Sequence, residues 1–206
     1  EMLIHVRDPR TKEVYALRER ADGAKLGINR LTAETGGFTR LPYADNTIDL
    51  VIASQISETT LKELPVSEVL RVLRPEGIAL LGNRSAGTDR VARQLQDWAG
   101  AGGVRSRVWS TKSGQWIQIR KPELAGVDDW SHWEKAPDNN PVSNDQVIKA
   151  PYMTQFLADP LYIGMPSITT AAGGRTFLAV GHISHHEREW GMLLKLIARN
   201  GYNGQV

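Results

Sequence analysis

Apolar runs separated by turn residues predict an alternating α/β arrangement in the first half of the chain. Four short runs are typical of strands: Met2–Val6, Ile28–Thr32, Ile48–Ala53 and Ile78–Leu81. Apart from Asp49, Ile48–Ala53 is apolar throughout, which favours a strand buried on both faces, as in a parallel sheet. These runs therefore predict the central strands of one sheet.

Helical periodicity lies between these strands. A first helix is predicted from Thr11, as N-cap, to Gly23, a second over Thr60–Leu73 with a break at Pro65, and a third over Thr88–Ala99. Two further strands, Arg105–Ser110 and Trp116–Arg120, form a predicted hairpin. This order predicts a Rossmann-like open α/β sheet with a terminal antiparallel hairpin.

The pattern changes after Pro122. Residues 123–150 are rich in Trp, Pro and Asn without period, which indicates an irregular linker. A hairpin of Ile168–Ala172 and Arg175–Val180 follows around Gly173-Gly174, and Glu187–Ala198 reads as a helix. We predict an α/β domain over residues 1–122, a linker over 123–150 and the start of an all-β domain over 151–206.

Composition and charge limit the classes of partner and site that are expected for this chain. The chain has 25 Lys and Arg against 23 Asp and Glu, a net charge of +2, so neither nucleic acid nor an acidic membrane surface is indicated. No apolar run has the length of a membrane span. The absence of cysteine excludes disulfides, thiolate metal sites and cysteine nucleophiles.

Two sequence motifs occur in the same order as in a known protein family. Arg40–Ser54 (RLPYADNTIDLVIAS) and Glu68–Gly77 (EVLRVLRPEG) resemble class I S-adenosylmethionine-dependent methyltransferases, and the similarity covers roughly Met2 to Arg120. In that family a Leu-Pro-aromatic loop, an Asp-Asn turn and an Asp-Leu-Val strand precede a helix ending in Leu-Arg-Pro-Gly-Gly. The resemblance implies that a cofactor lies across the carboxyl ends of the strands.

The resemblance also implies cofactor-binding positions. The acidic residue that holds the ribose hydroxyls falls on Asp8, with Val6 as an alternative alignment, and the adenine-contacting Asp of the family falls on Gly37. Phe38 and Thr39 would lie beside an adenine or form a plain loop, and Ser54 follows the third strand. Asp49, at the start of that strand, is expected to be structural.

Departures from the family predict a degenerate site. The family's first βα unit and glycine-rich loop would lie upstream of Glu1, so the domain is expected to be N-terminally incomplete. This chain is therefore expected to bind no S-adenosylmethionine, whereas the complete parent protein could bind it. A binding or structural role is the first hypothesis. The alternative is an active methyltransferase truncated before its glycine-rich loop.

The second half resembles the opening of pyrroloquinoline-quinone-type, quinoprotein-like β-propellers. Asp129–Trp133, Pro137–Ser143, the Gly173-Gly174 hairpin and Leu196–Val206 carry this similarity. A propeller needs about four to eight blades, so the remaining blades would be partners within a larger parent protein. The resemblance implies a C-terminally incomplete propeller in a multidomain, exported bacterial protein.

Other polar groups leave two interpretations each. His182, His185 and His186 form the densest set of potential metal ligands, although a polar loop before a helix is the preferred interpretation. Asp128 and Asp129 suit acid–base chemistry or a solvated linker, and Trp130 and Trp133 suit ring stacking or burial.

Overall fold

The structure, a computed structural model, describes residues 2–84, 89–112, 114–151, 154–157, 166–181 and 187–206. Backbone contacts divide the chain into two compact units that interleave along the sequence. Unit 1 comprises Glu1–Tyr43, Val51–Val72 and Ala79–Ile119, and unit 2 comprises Ala44–Leu50, Leu73–Ile78 and Arg120–Val206. Within the described part, no helix is both long and apolar enough to cross a membrane.

The first elements form a parallel pair with a helical crossover. β1 (Ile4–Asp8) pairs in parallel with β2 (Leu31–Thr35), and α1 (Thr11–Gly23) connects them. β2 begins three residues later than predicted, because Arg30 and Leu31 donate backbone hydrogen bonds to Gly27 and complete a turn there. The N-cap of α1 is Arg10 rather than Thr11, since the Asp8 carboxylate accepts from the Arg10 amide and turns the chain one residue earlier.

A second sheet contains the remaining strands of the α/β region. Its order is β3-β4-β6-β5, with β3 at Ile48–Ala53, β4 at Leu73–Asn83, β5 at Ser106–Thr111 and β6 at Gly114–Arg120. Ile48 lies beside Gly77 and the Ile56 amide donates to Gly82, so β3 and β4 run in the same direction. β5 and β6 pair antiparallel, which confirms the predicted hairpin.

Two predictions about this sheet are wrong. β3 is an edge strand among the described strands, and Leu50 and Ile52 are 46% and 62% exposed, so it is not buried on both faces. β4 begins at Leu73 rather than Ile78. The Arg74–Gly77 segment does not interrupt the strand, because Glu76 donates to Lys121 and Lys121 donates to Gly77 across the ladder to β6.

The helices between the strands follow the predicted break. α2 covers Glu58–Glu63, α3 covers Val66–Val72 and α4 covers Asp89–Gly100. Ser57 caps α2 by accepting from the Thr60 amide, and the Trp98 indole of α4 donates to the Leu64 carbonyl at 2.7 Å. Fully buried Val69, Leu81 and Leu95 lie in the core of unit 1.

The C-terminal strands form a separate antiparallel sheet. β7 (Pro166–Ala172), β8 (Arg175–Val180) and β9 (Leu196–Asn200) pair in that order, and a 3₁₀ helix covers Glu187–Met192. The predicted Gly-Gly hairpin is confirmed. The predicted helix over Glu187–Ala198 is wrong beyond Met192, because Leu196–Asn200 pairs residue by residue with β8.

Candidate functional site

The carboxyl ends of β1 and β2 meet at Asp8. Asp8 is the register partner of Thr35, and the Gly36 amide donates to the Asp8 carbonyl at 3.1 Å. The loop that begins at Gly36 therefore starts beside the last residue of β1. This brings Asp8 and the predicted Gly37–Thr39 loop to one edge of the parallel pair.

The Asp8 carboxylate is paired with Arg10. Oδ1 accepts from the Arg10 backbone amide at 2.8 Å and from Nε at 2.9 Å, and Oδ2 accepts from Nη2 at 2.8 Å. The side-chain bond from Arg10 lowers the pKa of Asp8 below its ordinary value, so the carboxylate is ionised at neutral pH. The predicted ribose acceptor thus already has a charged partner.

A cavity of about 200 Å³ opens at this pair. The residues that line it come from β1, from the turn after β1 and from α1, and they include Val6, Asp8, Arg10, Glu13, Leu17 and Arg20. Both sequence alternatives for the ribose-binding position, Asp8 and Val6, therefore lie at the same cavity. Of these two residues, Asp8 is the one whose side chain can accept hydrogen bonds from a diol.

Arg7 holds the loop after β2. Its guanidinium pairs with the Glu34 carboxylate, and its Nε donates to the Gly37 carbonyl at 2.7 Å. A Cβ at Gly36 would overlap this guanidinium, so a larger residue there would displace the Arg7 side chain. Gly37 and Thr39 are exposed and Phe38 is half-buried, which leaves this loop accessible beside Asp8.

The Leu41–Tyr43 loop is fixed by a buried ion pair from α3. Arg71 donates to the carbonyls of Leu41 and Tyr43 at 3.0 and 2.8 Å and binds both oxygens of Glu68. The Leu41 amide donates to Glu68 at 2.6 Å. Glu68 is only 6% exposed, and the bond from Arg71 lowers the pKa of its carboxyl.

This pair explains why the two motifs occur together. The Leu-Pro-Tyr loop lies in the first motif and Glu68 and Arg71 lie in the second, three residues apart on one helix face. Neither residue was predicted from its sequence pattern to have a role. A Glu and an Arg at that spacing in an otherwise apolar helix were the available signal.

Tyr43 connects this loop to β1. Its ring packs edge-on against His5, with 5.2 Å between the ring centroids. Burial raises the pKa of Tyr43 to about 12, so the phenol is neutral at physiological pH. β1, the loop before β3 and α3 are therefore joined within unit 1 through His5, Tyr43 and Arg71.

Ser54 directly follows β3 and is half-buried. The described contacts next to it run to β4: Gln55 bridges to Asn83, and the Asn83 amide donates to the Ile56 carbonyl at 2.9 Å. Ser54 occupies the strand-end position that the resemblance implies, and its role in binding stays a prediction.

Asp49 is a structural acceptor in unit 2. Its carboxylate pairs with Arg74 and accepts from Asn200 and Asn203 at 2.9 and 2.7 Å. Asn203 also donates to the Thr47 carbonyl at 2.9 Å. One carboxylate therefore joins the start of β3, β4 and the C-terminal turn.

The linker carboxylates are occupied separately. Asp128 pairs with Lys135 at 3.3 Å and accepts from the Asn144 amide, whereas Asp129 accepts from the Gly173 amide at 3.1 Å. These partners favour structural roles over acid–base chemistry. Trp133 is 70% exposed, so the burial interpretation is wrong for Trp133, whereas Trp130 is half-buried.

The metal hypothesis concerns residues beyond this description. His182, His185 and His186 lie outside the described residues. Within the described ranges, the His, Asp and Glu side chains form no group of three arranged to hold a metal ion.

The α/β part of the chain is similar to known proteins in fold and in sequence. It has a mixed α/β fold similar to that of a solved structure assigned as a methyltransferase. A family model described as a methyltransferase domain matches residues 4–81, so this part of the chain is similar to methyltransferase domains. A search of curated proteins returned no significant match.

One solved structure with a TM-score above 0.5 supports the same fold, and two further structures show a weaker similarity. A Methanococcus maripaludis protein assigned as an S-adenosyl-L-methionine-dependent methyltransferase is similar with 16% identity and a TM-score of 0.52, covering 60% of this chain and 69% of its own. The YcgJ protein of Bacillus subtilis is 15% identical, with a TM-score of 0.47 and coverage of 60% and 84%. A SAM-dependent methyltransferase from Aquifex aeolicus is 21% identical, with a TM-score of 0.41 and coverage of 57% and 67%.

Proposed function

We propose that the methyltransferase-like domain carries a weakened S-adenosylmethionine-type site at Asp8 and has a binding or structural role rather than a catalytic one. The observation that carries this proposal is the position of Asp8, an ionised carboxylate at the carboxyl end of a parallel strand that lines a cavity. Such a carboxylate suits two ribose hydroxyls, which donate one hydrogen bond to each oxygen.

The residues present fit the adenosyl part of the cofactor only in part. Asp8 supplies an acceptor, and the Gly36–Thr39 loop lies next to it. Gly37 has no side chain with which to bind adenine, and the bond from Arg7 already occupies its carbonyl. When bound, S-adenosylmethionine supplies an electrophilic methyl group. The described side chains near Asp8 would orient the nucleoside.

Calorimetric titration with S-adenosylmethionine and S-adenosylhomocysteine tests the site. The sequence alone predicts no binding by this chain, whereas the cavity at the ionised Asp8 leads us to expect weak binding. Asp8→Asn should reduce this binding further, because an amide offers only one acceptor oxygen. Glu13→Gln is the matched control, since Glu13 lines the same cavity and its exchange also removes one negative charge. Equal binding by the wild type and Asp8→Asn would refute the assignment of Asp8.

An active methyltransferase is the second candidate, and the family match over residues 4–81 favours it. A methyl-transfer assay separates the candidates, using radiolabelled S-adenosylmethionine and an extract of proteins and small molecules as acceptors. Transfer that disappears with Asp8→Asn would support catalysis by this chain. Binding without transfer supports the binding or structural role.

We propose further that β7–β9 form part of the first blade of a propeller completed by other blades of an exported multidomain parent. The antiparallel order of these strands supports the proposal, as does the Trp130–Ala171 bridge that adds a fourth extended segment beside β7. Hydrogen exchange of Leu196–Asn200 tests it. In a complete parent protein these amides should exchange more slowly than in this chain, and equal rates would contradict the proposal.

A further inference from the structure

We propose that Arg10 is a built-in competitor for the nucleoside site and occupies the Asp8 acceptors that a ribose diol would need. This inference rests on the proposed function. Arg10 Nε and Nη2 bind one Asp8 oxygen each, at 2.9 and 2.8 Å. That two-point arrangement is the one that a pair of adjacent ribose hydroxyls would make with the same carboxylate.

The competitor is local and weakly anchored. Arg10 is two residues from Asp8 and its side chain is 59% exposed, whereas the Asp8 side chain is 24% exposed. Solvent is therefore available to the guanidinium once the pair opens, and an exposed ion pair is easily displaced. A ligand that enters the cavity must replace Arg10 at both oxygens, which weakens binding without blocking it.

Removing the Arg10 side chain leaves Asp8 correctly placed. The Arg10 backbone amide donates to Oδ1 at 2.8 Å, and this bond survives in Arg10→Met. The Asp8 carboxyl would return toward its ordinary pKa of 3.8 and so stay ionised at neutral pH. Methionine also keeps an unbranched apolar stem against the cavity.

Calorimetry with S-adenosylhomocysteine and adenosine, at neutral pH and low salt, tests the inference. We expect Arg10→Met to lower both dissociation constants roughly three- to fivefold, as the loss of a competing exposed ion pair predicts. Lys12→Met is the matched control, because Lys12 is exposed on α1, two residues from Arg10 and outside the cavity lining, and its exchange also removes one positive charge. It should leave both dissociation constants within twofold of the wild type.

A ligand without the diol separates competition from a general effect of charge. 2′,3′-Dideoxyadenosine should bind Arg10→Met and the wild type equally. If Arg10→Met binds S-adenosylhomocysteine no more tightly than the wild type while Asp8→Asn still weakens binding, Arg10 is not a competitor. That outcome overturns this inference and leaves the proposed function in place. Failure of every variant to bind S-adenosylhomocysteine overturns the proposed function and this inference together.

Discussion

At the scale of single residues, the Glu68–Arg71 pair shows how two charges are stabilised inside unit 1. Glu68 is buried, and its oxygens accept from the Arg71 guanidinium and the Leu41 amide. Arg71 satisfies two backbone carbonyls of the loop in return. Charges that are fully hydrogen-bonded lose little by burial, whereas removal of one partner leaves the other unpaired.

We therefore expect Arg71→Ala to lower the free energy of unfolding by about 3 kcal/mol, because it leaves the Glu68 carboxylate without its main partner. Equilibrium urea unfolding followed by tryptophan fluorescence measures the loss. Arg40→Ala is the control, since Arg40 is 3.5 Å from the same carboxylate but 73% exposed; it should cost no more than about 0.5 kcal/mol. A similar cost for both variants would contradict the buried pairing.

The same carboxylate predicts a dependence on pH. The folded-state pKa of Glu68 lies below its ordinary value of 4.5, so its contribution to stability is present above about pH 4.5 and is lost as the pH falls through the folded-state pKa. Urea unfolding between about pH 6 and pH 3 should show a smaller acid loss for Glu68→Gln than for the wild type. Parallel curves for the two proteins would refute this contribution.

At the scale of elements, the β7–β8 turn depends on two glycines with positive φ, 56° at Gly173 and 71° at Gly174. Alanine at either position should cost about 1 to 2 kcal/mol. We expect Gly174→Ala to lower the free energy of unfolding more than Gly173→Ala does. A Cβ at Gly174 would lie 3.0 Å from the Tyr202 ring, whereas a Cβ at Gly173 would meet no described atom within 4 Å. Thermal unfolding measures both variants.

Gly173→Asn is the control for this turn, since asparagine tolerates positive φ better than alanine. It should unfold at a higher temperature than Gly173→Ala. Equal midpoints for Gly173→Ala and Gly174→Ala would show that the Tyr202 ring moves aside without cost.

Most elements of the α/β part were predictable because each depends on local periodicity. α1, the break at Pro65 and the β5–β6 hairpin occur close to their predicted positions. β9 was not predictable, since Met192, Leu193, Leu196 and Ile197 fit a helical period and only pairing with β8 selects the strand. The exposure of Leu50 and Ile52 also depends on which strands flank β3, which local pattern does not specify.

For the candidate site, the sequence predicted which residues lie at the ends of strands but not the partners of their side chains. Asp8 is found at the end of β1, as the resemblance implied. Its pairing with Arg10 depends on the turn that starts α1, and the roles of Glu68 and Arg71 depend on a loop that lies far away in sequence. Side-chain partners of this kind follow from tertiary structure.

At the scale of the whole molecule, boundaries between the units fall within strands. Ile48–Leu50 belongs to unit 2 and Val51–Ala53 to unit 1, and β4 is divided in the same way after Ile78. Neither unit is a continuous stretch of chain. The predicted boundary at residue 122 falls within the last segment of unit 2, so residues 1–122 include only part of that unit.

We therefore expect a chain shortened to residues 1–122 to unfold at a lower urea concentration than the full chain, because Asp49 loses Asn200 and Asn203. Circular dichroism in the helical range measures the midpoint. The double variant Asn200→Ala/Asn203→Ala in the full chain should reproduce part of the decrease. An unchanged midpoint for the shortened chain would support residues 1–122 as an independent domain.

The asparagines that bind Asp49 are also sites at which the protein is expected to deamidate slowly. Asn200 and Asn203 each precede a glycine, and asparagine is a thermolabile residue whose side chain slowly loses ammonia in water. Each such loss would replace an amide donor with a carboxylate directed at Asp49, so attraction would become repulsion at that contact. The attachment of the C-terminal turn in unit 2 should therefore weaken as the protein ages in solution, without any change in the genetic sequence.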